Sequence, residues 1–456
     1  MCFDAPMPPI HSLDDLVELV STELARGDLS AAATALASAP LPDLAVLLER
    51  LPARDAGVAF RLLPKDEAMT VFERMDAPAQ REVVTQLSDA DVARVFAELD
   101  ADDRVALMDE LPAKIAKRLV QELPADERGE TAIILGYPVG SVGRRMTPDY
   151  VHVYAHELVG VALERIQQRG GDAETIYTIP VVDDGRRLLG VVSLRELFFA
   201  SPHDAVEAHM ATALYAHADD DAEVTARTLV DRGVLAMPIV DREERLLGLL
   251  TGDDAHRMVE AARDEDEAHA GASEPLRRPY LTTPVFAVVR SRVVWLFVLA
   301  ISAILTVSVL ELFEATLEQQ VALALFIPLL TGIGGNTGSQ AATTVTRALA
   351  MGEVRPRNAW PVALKELRTG IVLGISLGAV AFAVATFFYG VGIGTVIGLT
   401  LLSVCTISAT VGGVMPLVAK SIRVDPAVFS TPFISTFCDA TGLIVYFSIA
   451  KSVLGI

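Results

Sequence analysis

The hydrophobic pattern of the chain changes near residue 277, where short amphipathic segments give way to long apolar runs. A helix needs about 20 residues to cross a bilayer, and five stretches of the C-terminal part are long enough. They are Val293–Phe313, Val321–Met351, Arg368–Tyr389, Ile393–Val418 and Ala427–Val453. The 51 uncharged residues 369–419 must form two helices, with a turn at Gly390–Gly394. The pattern predicts a transmembrane domain of five helices over residues 277–456.

The last apolar run contains one charge. Between Pro426 and Ala450 the only charged residue is Asp439, with thirteen uncharged residues before it and eleven after it. A carboxylate near the bilayer midplane costs roughly 2.5–3.5 kcal/mol, so it should face a protein interior or a water-filled path. A hydrogen-bonded Asp inside a helix bundle is the structural alternative. We favour an ion site.

A second apolar run has an unusual centre. Val321–Thr346 carries no charge, but its middle, Gly332–Gln340, contains four glycines and four hydrogen-bonding side chains. Irregular backbone at that depth is tolerated only where it is buried in protein or lines a cavity, so we expect this span to be broken. Close packing of helices through small residues is the alternative, and both can hold together. Two such spans indicate a cation pathway.

Residues 13–140 are predicted to form short stacked helices. A Leu-Pro pair recurs between amphipathic segments, and proline favours the first helical position. The pairs are Leu51-Pro52, Leu63-Pro64, Leu111-Pro112 and Leu123-Pro124. This spacing predicts a helical domain resembling an α-solenoid. Asp100, Asp102 and Asp103 cluster at one junction, either as helix caps or as metal contacts.

An internal duplication occupies residues 141–252. Residues 178–183 and 188–193 return as residues 236–241 and 246–251, at an offset of 58. Each copy predicts a strand–turn–strand–helix unit. The copies resemble a tandem CBS pair, an α/β module, and that resemblance implies an adenine nucleotide as a possible ligand. Residues 253–276 follow as an acidic helix connecting to the membrane domain.

Charge is divided unequally between the two parts. The first 276 residues hold 26 basic and 52 acidic residues, and the remainder holds twelve and seven. An acidic soluble part repels nucleic acid and attracts cations, although salt tolerance also explains it. No signal peptide is expected, and basic residues on alternate loops predict a cytoplasmic N-terminal part and an extracytoplasmic C-terminus in the cell membrane. A GxxxxGK[ST] loop is absent, which disfavours an ATP-driven pump.

The complete order of domains resembles the MgtE family of magnesium channels and transporters. Four segments carry this resemblance: Leu135–Pro148, Phe326–Gly338, Asp425–Ala427 and Asp439–Leu443. The resemblance implies a homodimer in the lipid bilayer, with the pore on the two-fold axis and Asp439 of each subunit facing the other. It also implies a hydrated Mg²⁺ at this point, since Mg²⁺ dehydrates reluctantly. Cytosolic Mg²⁺ would close the gate by compacting the acidic domains.

The resemblance assigns further metal-site residues by position. In the pore they are Ser435, Gly442, Asn336, Gly335 and Thr343, with Asp425 at the cytoplasmic mouth; in the soluble part they are Asp102, Asp103, Glu223, Asp254, Glu265 and Asp266. Four positions depart from the family. Ser339 and Thr431 stand where Asn is frequent, and Gly233 and Arg257 where acidic residues are frequent.

Two other functions fit the sequence less well. A transporter of Co²⁺ or Zn²⁺ would favour His or Cys ligands, but the membrane part has no His and only Cys405 and Cys438 as thiols. A membrane-anchored nucleotide sensor would have no use for Asp439 or for the glycine run. The sequence therefore predicts a Mg²⁺ transporter that is not an enzyme, with a broader divalent-cation transporter of the same architecture as the alternative.

Overall fold

The computed structural model describes residues 12–171, 173–276, 280–281, 283–422 and 431–455. They form two compact units. The first extends to Ala262, and the second contains Arg263–Leu276 and the residues from Pro284 onward. Each unit is described separately below.

The first unit begins with helices stacked in rows. In this part the described residues form α1 (Leu13–Arg26), α2 (Leu29–Ala37), α3 (Leu41–Arg50), α4 (Ala53–Leu62), α5 (Lys65–Glu73), α6 (Ala77–Gln86), α7 (Asp89–Glu98), α8 (Ala101–Glu110), α9 (Ala113–Glu122) and α10 (Ala125–Leu135). The even-numbered helices from α2 to α10 contact one another in sequence, and α1, α3 and α5 form a second row. Leu47, Phe72 and Phe96 are fully buried between them. This arrangement is the α-solenoid-like domain that the sequence predicted.

The Leu-Pro pairs mark the helix starts, one position away from the prediction. Pro52, Pro64, Pro112 and Pro124 are each the residue immediately before the first helical residue. A proline at this boundary costs the helix no hydrogen bond, because the residue before a helix donates none to it, and its fixed φ angle suits the start of a helix. The leucine before each proline packs inward, as Leu51 and Leu63 show.

The duplicated region forms two small sheets with helices beside them. Its elements are β1 (Val153–Tyr154), α11 (Val159–Arg169), β2 (Thr178–Val182), β3 (Leu188–Ser193), α12 (Leu194–Phe199), β4 (Ala216–His217), α13 (Ala222–Arg232), β5 (Ala236–Val240) and β6 (Leu246–Thr251). The sheet orders are β1-β2-β3 and β4-β5-β6, each with one parallel and one antiparallel pair. The register repeats with the duplication, since Thr178 pairs with Ser193 and Ala236 with Thr251.

Equivalent glycines bring the two repeats together. A Cβ atom on Gly190 would lie 2.5 Å from the carbonyl oxygen of Ala211, and one on Gly248 would lie 2.5 Å from that of Thr147. In both places a chain segment from the other repeat forms a β-bridge beside the glycine. The Leu-Leu-Gly motif of each repeat is therefore explained by this exchange of segments.

The second unit contains the membrane helices. Its elements are the end of α14 (Gly252–Ala270), α15 (Val285–Leu312), α16 (Glu314–Gln319), α17 (Ile327–Ala350), α18 (Ala359–Tyr389), α19 (Val391–Ser421) and α20 (Thr431–Leu454). Among the described residues, five helical segments are long and apolar enough to cross a membrane. Helices α15 and α18 begin before the predicted spans. Each helix also includes basic residues on its N-terminal side, which the hydropathy pattern had left out of the spans. Gly390, with φ of 89°, makes the turn between α18 and α19.

The second span is irregular, but not at the glycine run where the sequence predicted the break. The glycine run lies inside the regular helix α17, and the irregular part is a 3-10 segment, Val321–Phe326, that precedes it. Pro328 occupies the first turn of α17, where a proline is tolerated. The glycines are needed for close packing: a Cβ on Gly334 would lie 2.6 Å from Val404 on α19, and one on Gly338 would lie 2.8 Å from Cys438 on α20.

Candidate ion-binding sites

Asp439 lies on the face of α20 that meets α17. Ser435, Asp439 and Gly442 are spaced by four and three residues, so they share one face of the helix. Opposite them is Gly335, where a Cβ atom would lie 3.5 Å from Asp439 Oδ1 and would overlap the Ser435 hydroxyl. The structure thus brings Gly335, Ser435 and Asp439 together. Gly442 lies one turn further along, beside Val404 of α19.

A polar strip runs along the exposed face of α17. Asn336, Gln340 and Thr343 are exposed, whereas Gly334 and Gly335 are buried against the neighbouring helices. Asn336 follows Gly335 and therefore points about 100° further round α17, and Thr343 lies two turns beyond Asn336. Lipid tails offer no hydrogen bonds to such side chains. This strip of a membrane span is therefore suited to water or to protein.

Two predicted pore positions cannot be placed. Asp425 lies outside the described residues, and the side chain of Thr431 does too. Within the described part of the chain, no three His, Cys, Asp or Glu side chains are arranged to hold a metal ion. Among the residues that the structure describes, one chain contributes the carboxylate of Asp439 to this region, together with hydroxyl and amide groups.

The first unit brings together acidic residues from three parts of the chain. Asp102 and Asp103 lie in the first turn of α8, Asp254 lies in the first turn of α14, and Glu174 precedes β2. Burial and repulsion from Asp254 raise the pKa of Asp103 to about 7. Burial and repulsion from Asp100 raise the pKa of Glu174 to about 7. We call Asp102, Asp103, Glu174 and Asp254 the acidic cluster; its members disfavour one another's ionised forms.

Arg257 supplies positive charge to the acidic cluster. Its guanidinium forms an ion pair with Asp254 one turn away on α14, and it attracts Asp103 and Glu174. The other oxygen of Asp254 accepts a hydrogen bond from Thr251 Oγ1 at 2.6 Å. Burial raises the pKa of Asp102 well above its usual range, and repulsion from Asp103 adds to this effect. One arginine therefore stands among four carboxyl groups.

The remaining predicted sensing residues lie elsewhere. Glu223 forms an ion pair at 2.8 Å with Arg227 on its own helix, α13. Glu265 and Asp266 are on the exposed last part of α14. Gly233 ends α13 with φ of 64°, a left-handed conformation that favours glycine over an acidic residue.

Two residues that shape the region around α8, Glu174 and Arg144, were not identified from the sequence. Glu174 stands in a loop without a repeating pattern, so only the folded chain shows that it joins the acidic cluster. Arg144, in a 3-10 turn before β1, binds Asp109 of α8 through two hydrogen bonds of 2.6 and 3.1 Å. This half-buried arginine ties α8 to the segment that leads into the duplicated region.

Comparisons with known proteins cover most of the chain. Residues 39–140 match the MgtE intracellular N domain, residues 139–203 and 206–260 match the CBS domain, and residues 327–449 match the MgtE divalent cation transporter family. The magnesium transporter MgtE of Thermus thermophilus is 37% identical over 331 residues, which are 72% of this chain and 73% of that protein. The chain belongs to the MgtE family.

The chain is also similar to a second MgtE relative and to a solved structure. The magnesium transporter MgtE of Enterococcus faecalis is 32% identical over 332 residues, or 72% of each chain. A crystal structure of the cytosolic domain of the Mg²⁺ channel MgtE in complex with ATP is 32% identical, with a TM-score of 0.48, and covers 53% of this chain and 99% of that one. The predicted family, the multi-pass membrane architecture and the absence of enzymatic function are confirmed by MgtE membership.

Proposed function

We propose that this MgtE protein is a homodimeric Mg²⁺ channel that imports Mg²⁺ into the cytoplasm and is closed by cytosolic Mg²⁺. The observation that carries the proposal is the meeting of Asp439 with Gly335 and Ser435, next to the exposed polar strip on α17. A carboxylate and a row of polar side chains inside membrane spans require an aqueous path or a protein partner.

The chemistry of this region suits a hydrated magnesium ion. Mg²⁺ prefers oxygen ligands and usually retains several waters. Asp439 from two copies would supply two carboxylates, and Asn336, Thr343, Ser435 and the backbone at Gly335 and Gly442 would contact the water shell. Binding through water allows an ion to leave again, which conduction requires. Inward movement of two charges across 100 mV is worth about 4.6 kcal/mol, so the membrane potential suffices.

The acidic cluster is the proposed sensor. Its carboxyl groups lie close enough to repel one another, and this repulsion adds to burial in raising the pKa values of Asp103 and Glu174. A bound divalent cation would remove this repulsion and hold the domains together. We assign Asp102, Asp103 and Asp254 to this sensor, with Asp425 proposed at the cytoplasmic mouth. Glu223, Glu265 and Asp266 are proposed as further contacts for Mg²⁺, on the resemblance alone.

Surface properties support the proposed dimer and the proposed orientation in the membrane. Phe198 and Phe199 on α12 are 72% and 77% exposed, and Leu158 and Val161 at the start of the neighbouring α11 are also exposed. These apolar side chains favour contact with a second copy. Basic residues on alternate membrane loops support a cytoplasmic N-terminal part and an extracytoplasmic C-terminus. The CBS repeats are proposed to hold an adenine nucleotide, which ATP-dependent protection from proteolysis would test.

The decisive experiment is Mg²⁺ uptake by proteoliposomes with an imposed membrane potential. We expect Asp439→Asn to reduce uptake by at least tenfold, because the carboxylate that attracts the ion is lost. Ser448→Ala is the matched control, since Ser448 lies on an exposed face of the same helix and its hydroxyl donates to the Ile444 carbonyl of that helix. Comparable uptake by the Asn variant and the control would exclude the pore role of Asp439.

The same proteoliposomes test two further points, the selectivity for Mg²⁺ over other divalent cations and the closure by cytosolic Mg²⁺. Unlabelled Co²⁺ should compete weakly with Mg²⁺, because the donors at Asp439 are oxygen atoms. Strong competition would support the broader divalent-cation transporter. Addition of Mg²⁺ on the side of the soluble part should stop uptake, and persistent uptake would exclude closure by cytosolic Mg²⁺ while leaving the pore assignment intact.

A further inference from the structure

A small group of side chains fastens the chain after α14 to the first membrane helix. Helix α14 ends at Ala270, and its last turn is closed by hydrogen bonds from Gly271 N–H to the Glu267 carbonyl and from Ser273 N–H to the Ala268 carbonyl. Ala272 has φ of 50° and turns the chain. The next residue but one, Glu274, then lies beside α15.

Glu274 makes three contacts there. Its backbone N–H donates to the Ser291 carbonyl at 2.8 Å, and its Oε1 accepts from Trp295 Nε1–H at 2.9 Å. Its Oε2 lies 3.8 Å from Nε2 of His269, the penultimate residue of α14. The His269 ring is 5.9 Å from the Trp295 ring and only 12% of its side chain is exposed. All of these residues belong to the second unit.

The contacts are suited to transmitting a displacement. The indole N–H can only donate, and a hydrogen bond to a charged acceptor is among the stronger ones. The contact joins the end of α14 to the third turn of α15 instead of its first residue, so a movement of α14 acts on the body of the membrane helix. The same α14 begins with Asp254 of the acidic cluster.

We propose that His269, Glu274 and Trp295 form a coupling contact that transmits the position of the connecting helix α14 to α15 and so to the gate. The inference rests on the proposed closure by cytosolic Mg²⁺ and adds the residues that carry the signal. These are positioning residues: they do not line the Asp439 region and should not alter conduction through an open channel.

The test uses the two tryptophans of the full-length chain. Trp295→Phe keeps the ring and removes the N–H donor, and Trp360→Phe is the matched control, because Trp360 is 72% exposed on α18. Currents are recorded from reconstituted protein while Mg²⁺ is titrated on the side of the soluble part. We expect Trp295→Phe to keep the maximal current and to need about fivefold more Mg²⁺ for half-closure, a size typical of coupling between two sites. Trp360→Phe should match the unmodified protein.

The outcomes separate the two proposals. If Mg²⁺ does not close the unmodified channel, the proposed closure by cytosolic Mg²⁺ fails, and the coupling contact fails with it. If the unmodified channel closes and Trp295→Phe closes at the same Mg²⁺ concentration, only the coupling contact is overturned. The coupling contact would also be overturned if Trp295→Phe changed the Mg²⁺ concentration for half-closure by no more than Trp360→Phe does.

If the Trp295→Phe variant does not fold, tryptophan fluorescence provides a second test of the coupling contact. In the Trp360→Phe chain, Trp295 is the only tryptophan, and its fluorescence should change on addition of Mg²⁺. Glu274→Gln in that background should reduce this change by at least half, since the charged acceptor is lost. An unchanged response to Mg²⁺ in the Gln variant would contradict the proposal.

Discussion

Single glycines decide how closely the helices around Asp439 approach. Gly335 and Gly332 lie on the same helix one turn apart, and both are glycines in the run that the sequence analysis singled out. At Gly335 a Cβ would overlap the Ser435 hydroxyl, whereas at Gly332 it would meet no atom within 4 Å. The same residue type therefore has two roles, and only the folded chain separates them: one glycine fits the ion site, and the other lies in open space.

This difference makes a residue-scale prediction. Gly335→Ala should reduce Mg²⁺ uptake and lower stability by about 1–3 kcal/mol, the usual effect of overpacking. Gly332→Ala should leave uptake unchanged. Both changes raise helix propensity by the same amount, so the comparison isolates the contact with Ser435. Uptake and thermal unfolding of the detergent-solubilised protein measure the effects, and equal behaviour of the two variants would contradict the packing of α17 on α20.

Whole elements were easier to foresee than the contacts between them. The Leu-Pro pairs predicted the starts of α4, α5, α9 and α10 to within a residue, and apolar runs predicted five membrane segments, because both patterns are local. The shape of α17 was misjudged, since a glycine run is compatible with a broken helix or a closely packed one. Glu174 could not be found, because its place beside α8 and α14 depends on the folded CBS repeat.

Helices α8 and α14 meet through the acidic cluster, and Arg257 compensates part of its charge. Arg257→Gln should weaken this contact by roughly 1–2 kcal/mol, between the values for exposed and buried ion pairs. Without Mg²⁺, a protease should cleave the Arg257→Gln variant between α8 and the CBS repeats faster than it cleaves the unmodified protein. Added Mg²⁺ should return the cleavage rate of the variant to that of the unmodified protein. Arg263→Gln, an exposed position later on α14, is the control. Slow cleavage of Arg257→Gln without Mg²⁺ would show that the guanidinium does not hold the contact.

At the scale of the whole molecule, the unequal charge distribution makes the assembly of the soluble part depend on both pH and Mg²⁺ concentration. The first 276 residues contain twice as many acidic as basic residues, and the membrane part is slightly basic. Only some of the acidic residues lie where burial makes their ionisation unfavourable. Simple salt tolerance would spread acidic residues over the surface, as at Glu243. Asp102 and Asp103 are instead placed opposite Asp254, where their repulsion opposes a compact soluble part.

The pKa values fix the direction of the pH effect. Asp103 and Glu174 have pKa values of about 7 in the assembled unit, above those of separated carboxyl groups. Their protonation therefore favours assembly: this stabilisation is complete below the pKa of the separated groups, about 4, and is lost as the pH rises through about 7. Without Mg²⁺, α8 in the full-length protein should be less protected from hydrogen exchange at about pH 8 than at about pH 6, once the base-catalysed rise of the intrinsic amide exchange rate is divided out. Mg²⁺ should reverse the change, and its apparent affinity should fall at the lower pH because protons compete with it. Potassium chloride at matched ionic strength is the control for screening. If it protects α8 as well as magnesium chloride does, the acidic cluster responds to ionic strength and is not a magnesium sensor.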